Sequence, residues 1–145
     1  MTNFDTNTFA DRNKSNYLKA KEAFNRNDLD TCVSFYAPDH QIRSKPSPKG
    51  RQAIRAFFEH SHQSWPDIQI VVEHAVAEGN WVMGRSVVTA THTTEVLGVK
   101  PTHKRIETTF WDLHLFDGEG LILETWNLMD SVAIMSQLGL LPEAK

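Results

Sequence analysis

Two rows of alternating residues in the C-terminal third of the chain hold the side chains best suited to chemistry. Ile106, Thr108, Phe110, Asp112, His114 and Phe116 fall at every second position, so on a strand they share one face and set an acid and an imidazole among aromatics. Beyond the turn Asp117-Gly118-Glu119-Gly120, a second row of Leu121, Leu123, Thr125, Asn127 and Met129 runs from apolar to polar. Burying a carboxylate there costs on the order of several kcal/mol unless it is paired or hydrogen-bonded, and that cost predicts a lined pocket. Apolar neighbours such as Phe110 and Phe116 disfavour the ionised form of Asp112 and would make it a better proton acceptor than a solvated aspartate. Such a base could abstract a proton next to a carbonyl, with His114, His92 and Asn127 supplying hydrogen bonds or positive charge to the enolate oxygen. The same constellation could instead position a water for hydrolysis.

Structural roles compete with each of these. Asp112 could pair with Arg85 or Arg105, His114 could be a hydrogen-bonded core or rim histidine, and His92, flanked by threonines, could lie at the surface. Asp130 precedes a short amphipathic stretch ending at Gly139 and is read as a helix N-cap. Cys32, in an apolar helical stretch, is read as a buried, inert thiol. His60, His62, His74 and His103 have no spacing with carboxylates or cysteines that would build a metal site, so no metal is expected. Tyr36, Trp65, Trp81 and Trp126 are read as core or dimer-contact aromatics.

The elements that must position these residues change period partway along the chain. Residues near Phe9 to Arg26 place Tyr17, Ala20, Lys21 and Phe24 at helical spacing, and Leu29 to Tyr36 forms a second, short helix that Asn27 or Asp28 could cap. A proline-rich loop spans Pro38 to Gly50. Ile54, Phe57, Phe58, Ser61 and Trp65 then mark a third helix, ended by the Trp65-Pro66 step. Ile68 to Ala77 and Trp81 to Thr94 read as strands joined at Glu78-Gly79-Asn80, before the strand pair described above. Helices first and antiparallel strands afterwards predict an α+β fold, a cone-shaped barrel with helices on one face of a curved sheet and a pocket at its mouth.

At 145 residues the chain has the size of a single domain, taken here as 1–145 with residues 1–8 as a flexible N-terminus. The net charge of -3 and scattered lysines and arginines give no footprint for nucleic acid. A polar N-terminus and the lack of any run long enough to span a bilayer predict a cytoplasmic protein without a membrane partner. Along the long strand, Trp81, Met83, Arg85, Val87, Thr89 and Thr91 face one way and Val82, Gly84, Ser86, Val88, Ala90 and His92 the other. Both faces are more apolar than a sheet with one wet side requires, which predicts a homodimer through the sheet.

In order and at similar spacing, Gly50 to Phe58, Trp65-Pro66-Asp67, Val76 to Gly79, Thr91-His92, Gly98 to Thr102, Glu119 to Asn127 and Gln137 to Gly139 resemble the SnoaL-like polyketide cyclases. That family sits within the nuclear-transport-factor-2-like superfamily. The resemblance spans nearly the whole chain and implies a cone-shaped α+β barrel, usually a homodimer, with no metal or organic cofactor, acting on a small, largely apolar carbonyl compound. It implies ring closure by aldol condensation with an aspartate as acid/base at the end of a motif commonly reading His-Trp-Asp. This chain reads Thr125-Trp126-Asn127, and asparagine takes up no proton at neutral pH. Family pocket histidines have their counterparts at Asp112 and His92. Aldol cyclisation, isomerisation or dehydration is therefore weighed against a non-catalytic small-molecule-binding or dimerisation module of the same fold.

Overall fold

A computed structural model describes the backbone of residues 4–141 and the side chains of 8–141. Of the flexible tail expected over residues 1–8, residues 1–3 lie outside the described residues, and from Phe4 onward the backbone is helical. In chain order the elements are α1 (Phe4–Asn25), α2 (Leu29–Ser34), β1 (Tyr36–Ile42), α3 (Arg51–Ser64), β2 (Gln69–Glu78), β3 (Trp81–Thr91), β4 (Arg105–Phe116), β5 (Ile122–Met129) and α4 (Ser131–Gln137). The strands form one sheet in the order β1-β5-β4-β3-β2. β2 through β5 pair antiparallel, and β1 runs parallel to β5 at the edge.

Local chemistry sets the boundaries. Asp28 caps α2 by accepting from the Thr31 backbone N–H at 3.2 Å, and Asp130 caps α4 by accepting from that of Ala133 at 3.1 Å. α3 stops at Ser64, just before the Trp65-Pro66 step, because proline disfavours helical backbone in the residue preceding it. The β2–β3 hairpin closes across Glu78↔Trp81, with Gly79 at a φ of 57° that few side chains tolerate.

Local expectations fail at several points, and the second helix, expected as far as Tyr36, ends at Ser34, so that Tyr36 opens β1 instead. The segment read as a loop from Pro38 begins inside β1, where the register to β5 breaks between Tyr36 and Gln41. Proline cannot donate to a ladder, and an edge strand with an irregular register is where it fits. In β5 the register slips between Leu115 and Phe116 of β4, so that Phe116 faces Ile122 while Leu115 faces Glu124. Leu123 is skipped, and Ile122 rather than Leu121 or Leu123 fills the apolar end of the row.

One hydrophobic core joins α1, α2, α3, the inner sheet face and α4, from Tyr17 to Leu138. β3 alternates buried and more exposed residues, with Val82, Ser86, Val88 and Ala90 inward. Helices thus cover one sheet face and leave the other open. Among the described residues no helix is long and apolar enough to cross a membrane.

Candidate active site

Asp112 lies mid-sheet, between Gly84 on β3 and Asn127 on β5, and is only 2% exposed. Three donors converge on it. The Tyr17 hydroxyl donates to Oδ1 at 2.6 Å, the Lys21 ammonium to Oδ2 at 2.5 Å, and His114 Nε2 lies 3.1 Å from Oδ2. Tyr17 and Lys21 are one turn apart on α1, the spacing that puts two side chains on the same helix face. Tyr17 reaches the sheet because Gly84 has no side chain: a Cβ there would lie 1.9 Å from the tyrosine hydroxyl. The Lys21 ammonium also sits 4.9 Å from the centre of the Phe110 ring.

From His114 the polar chain continues away from Asp112. His114 Nδ1 is 2.8 Å from Thr125 Oγ1, and the same oxygen is 2.8 Å from His40 Nε2 on β1. Thr125 is the cross-strand partner of His114, and His40 enters from the irregular stretch of β1. Asp112, His114, Thr125 and His40 are all buried.

These surroundings fix charge states. Burial pushes the Asp112 carboxyl upward, but the Lys21 and His114 partners outweigh it and hold the group well below the usual carboxylate range. Burial, then the neighbouring Asp112, raise the Tyr17 phenol far above its ordinary value, so it remains a donor. Burial and the nearby His114 lower His40 to about 4. Burial also pushes the Cys32 thiol up to about 12, which leaves it unreactive at neutral pH.

The cluster forms the polar end of a cavity with about 80 Å³ of free space. Lys21, Asp112, His114, Thr125 and Asn127 line that end, while Phe24, Ile54, Phe57, Phe58, Ile70 and Met129 supply apolar walls. A second cavity, of about 360 Å³, lies between β1 and α3; His40, Ile54 and Phe57 border it.

Of the four residues expected in the site, Asp112, His114 and Asn127 share one cavity wall. Asn127 also accepts from the Ser44 hydroxyl at 2.9 Å. His92 does not join them. It follows β3 eight positions beyond Gly84, roughly 25 Å along an extended strand. There it is buried, with Nδ1 2.9 Å from Thr102 Oγ1 and its ring 5.7 Å from that of Trp65. The ion pair is also not the one anticipated. Arg85 points to the outer face, where it meets Glu73 at 3.5 Å, and Arg105 is exposed, so Lys21 is the cation on Asp112. The expected upward shift of the Asp112 carboxyl is reversed for the same reason.

Sequence reasoning missed Tyr17, Lys21 and His40 as site residues. A signal existed for Lys21, a cation on the apolar stripe of Tyr17, Ala20 and Phe24, where only a buried partner would make it tolerable. His40 lay in the stretch read as a loop and gave no comparable sign.

A sequence model of the SnoaL-like polyketide cyclase family matches residues 15–138. The chain belongs to that family. Among solved structures, it is similar to AclR of Streptomyces galilaeus, a candidate hydroxylase, at 28% identity and a TM-score of 0.84, covering 94% of this chain and 90% of that one. It is also similar to IdmH of Streptomyces antibioticus, a candidate polyketide cyclase, at 29% identity and a TM-score of 0.78, covering 88% of this chain and 98% of that one. A SnoaL-like cyclase candidate from Jannaschia, at 19% identity, 92% and 96% coverage and a TM-score of 0.80, shares the fold alone. No curated protein matches. The five-stranded open sheet of this SnoaL-like chain, with helices on one face, is the α+β cone of the nuclear-transport-factor-2-like superfamily.

Proposed function

We propose that this SnoaL-like protein is a cofactor-independent enzyme that moves a proton next to the carbonyl of a small, largely apolar, polyketide-like compound, leading to aldol cyclisation, isomerisation or dehydration. What carries the reading is the convergence of Asp112, Lys21 and His114 on the polar end of an otherwise apolar cavity. The family's acid/base position holds Asn127, but Asp112 is its cross-strand partner. Directly opposed residues have Cβ atoms about 5 Å apart, so a carboxylate still serves the same cavity wall from the adjacent strand.

In this mechanism the ionised Asp112 takes a proton from the carbon beside the substrate carbonyl, breaking a C–H bond and forming an O–H bond. The resulting enolate oxygen is stabilised by the Lys21 ammonium, whose three donors allow it to bond both the substrate and Asp112. As negative charge leaves Asp112 for the enolate, Lys21 remains beside it. A carboxylate held this low is a weak base in the empty site, and sharing Lys21 with the substrate raises its basicity when it is needed. In cyclisation the enolate carbon forms a C–C bond with a second carbonyl, and the protonated Asp112 returns its proton to the new alkoxide.

Incubation with a panel of aromatic and polyketide-like ketones in D2O tests this reading. Wild-type protein should accelerate deuterium exchange at the carbon next to the carbonyl of a ketone that crystallography places against Asp112. A ketone bound there without accelerated exchange would overturn it. The second reading, a non-catalytic small-molecule-binding module, is favoured by the occupation of both Asp112 oxygens. It predicts that same result, binding without exchange.

We further propose that the protein is a homodimer through the outer sheet face. There Trp81, Met83, Trp111 and Leu128 remain exposed, although their types suit burial.

A further inference from the structure

The polar chain does not end at the substrate cavity. Thr125 Oγ1 has one proton and two lone pairs, and it meets a histidine nitrogen on each side at 2.8 Å. With a single proton it can donate to only one ring, so at least one of the two facing nitrogens must carry a hydrogen, which links the two histidine tautomers.

The ionised Asp112 sets the direction. A carboxylate only accepts, so His114 carries a proton on Nε2 and, while neutral, leaves Nδ1 bare. Thr125 then donates to His114 Nδ1 and accepts from His40 Nε2–H, leaving His40 Nδ1 as the unprotonated far end. His40 borders the second cavity, whereas Thr125 and His114 border the first. The threonine hydroxyl thus bridges the wall between the two cavities.

We propose that His40 and Thr125 form a proton relay joining His114 to the second cavity, so that the Asp112 cluster exchanges protons with solvent while a substrate fills its own cavity. The inference rests on Asp112 and His114 being the proton-handling end of the substrate site. A solvent proton adds to His40 Nδ1, the His40 Nε2 proton passes to Thr125 Oγ1, and the original Thr125 proton passes to His114 Nδ1. The products are a neutral His40 protonated on Nδ1, an intact threonine hydroxyl and a His114 imidazolium. Only N–H and O–H bonds change, and the chain of hydrogen bonds reverses direction.

The two histidines of the relay face different groups. The His114 ring faces the Asp112 carboxylate on β4, with Tyr17 and Lys21 contributed by α1. His40 has Tyr36 on its own strand edge-on at 4.8 Å, the carboxylate of Glu124 on β5 acting on it from a distance, and Lys45 and His60 around the second cavity. Its lowered proton affinity agrees with a relay station that passes a proton on and does not keep it.

The test needs no substrate, so its failure is distinguishable from failure of the proposed enzyme. In 15N-labelled full-length protein, two-bond 1H–15N correlation spectra report the protonation of each imidazole nitrogen. In the form with His114 uncharged, both His114 and His40 should carry their proton on Nε2. On titration, protonation of His114 should switch His40 from the Nε2–H to the Nδ1–H form at the same midpoint. Thr125→Val should abolish that coincidence, and Thr125→Ser should restore it. A His40 that keeps its tautomer while His114 becomes charged in wild-type protein would overturn the relay, whether or not the Thr125→Val variant folds.

Discussion

Asp112 has many partners, and the consequences of removing one of them differ with its charge. Asp112→Asn keeps the shape but abolishes the base, and turnover should fall about two to four orders of magnitude, the usual contribution of general acid/base catalysis. Parent-like activity in that variant would remove Asp112 from the mechanism. Lys21→Met instead strands a buried carboxylate and should destabilise the fold by about 3–5 kcal/mol in urea unfolding at pH 7, the range for breaking a buried pair. His40 provides a separate pH signature. Folding favours its neutral form, so between about 4 and 6.5 the unfolded chain binds more protons than the native one. Its contribution is whole above about pH 6.5 and is lost as pH falls toward 4, a change on the order of 3 kcal/mol. Asp112, held below its unfolded value, acts in a lower window. Its contribution is present above about pH 4 and lost on further acidification. Urea midpoints measured from pH 7 to 4 should therefore decline in wild type and decline less in His40→Gln. At this scale the sequence was informative wherever alternation alone decides: Asp112 and His114 share a face because strands have period two. It was silent on partners from α1 and β1, because contacts between residues 91 or 85 positions apart leave no local pattern.

The elements explain why those partners meet. α1 approaches β3 closely enough for Tyr17 to touch Asp112 only because position 84 is glycine, and this supplies a test of the packing itself. Gly84→Ala would set its Cβ within 2.6 Å of Tyr17 Cζ as well as against the hydroxyl, so Tyr17 must leave Asp112 or the strand must shift. Overpacking of this kind costs about 1–3 kcal/mol. Tyr17→Phe removes the atom nearest the clash, so the double variant should be less destabilised than the sum of the singles. Additive unfolding free energies would mean that position 84 does not hold Tyr17 in place. Helix caps at Asp28 and Asp130 and the stop before Pro66 were legible because each is a short-range rule. β1 was not. A strand carrying Pro38 and pairing irregularly looks like a loop until β5, roughly eighty residues later, supplies its ladder.

At the scale of the whole fold, the helices among the described residues cover only the inner face of the sheet, and the α+β architecture followed from the order of periodicities in the chain. The outer face carries the remaining question. Cross-strand pairing aligns Met83, Leu113 and Trp126 in one row and Arg85, Trp111 and Leu128 in the next, and the Trp81 and Trp126 rings lie 5.8 Å apart. Leu128 is 72% exposed and Trp111 42%. A second copy related by a two-fold axis presents the same rows to itself, so one interface covers both patches and leaves no further face to polymerise. Light scattering at micromolar concentration should accordingly report about twice the 16.5 kDa chain mass. Aromatic residues central to such interfaces contribute about 2 kcal/mol or more, so Trp111→Ala should raise the dimer dissociation constant at least about 30-fold. Because Trp111 points away from the cavity while its neighbour Asp112 points into it, the substitution should leave the His114 and His40 imidazole signals in place. A wild-type chain that stays monomeric at high concentration would remove the sheet-mediated dimer and leave the apolar outer face to another partner.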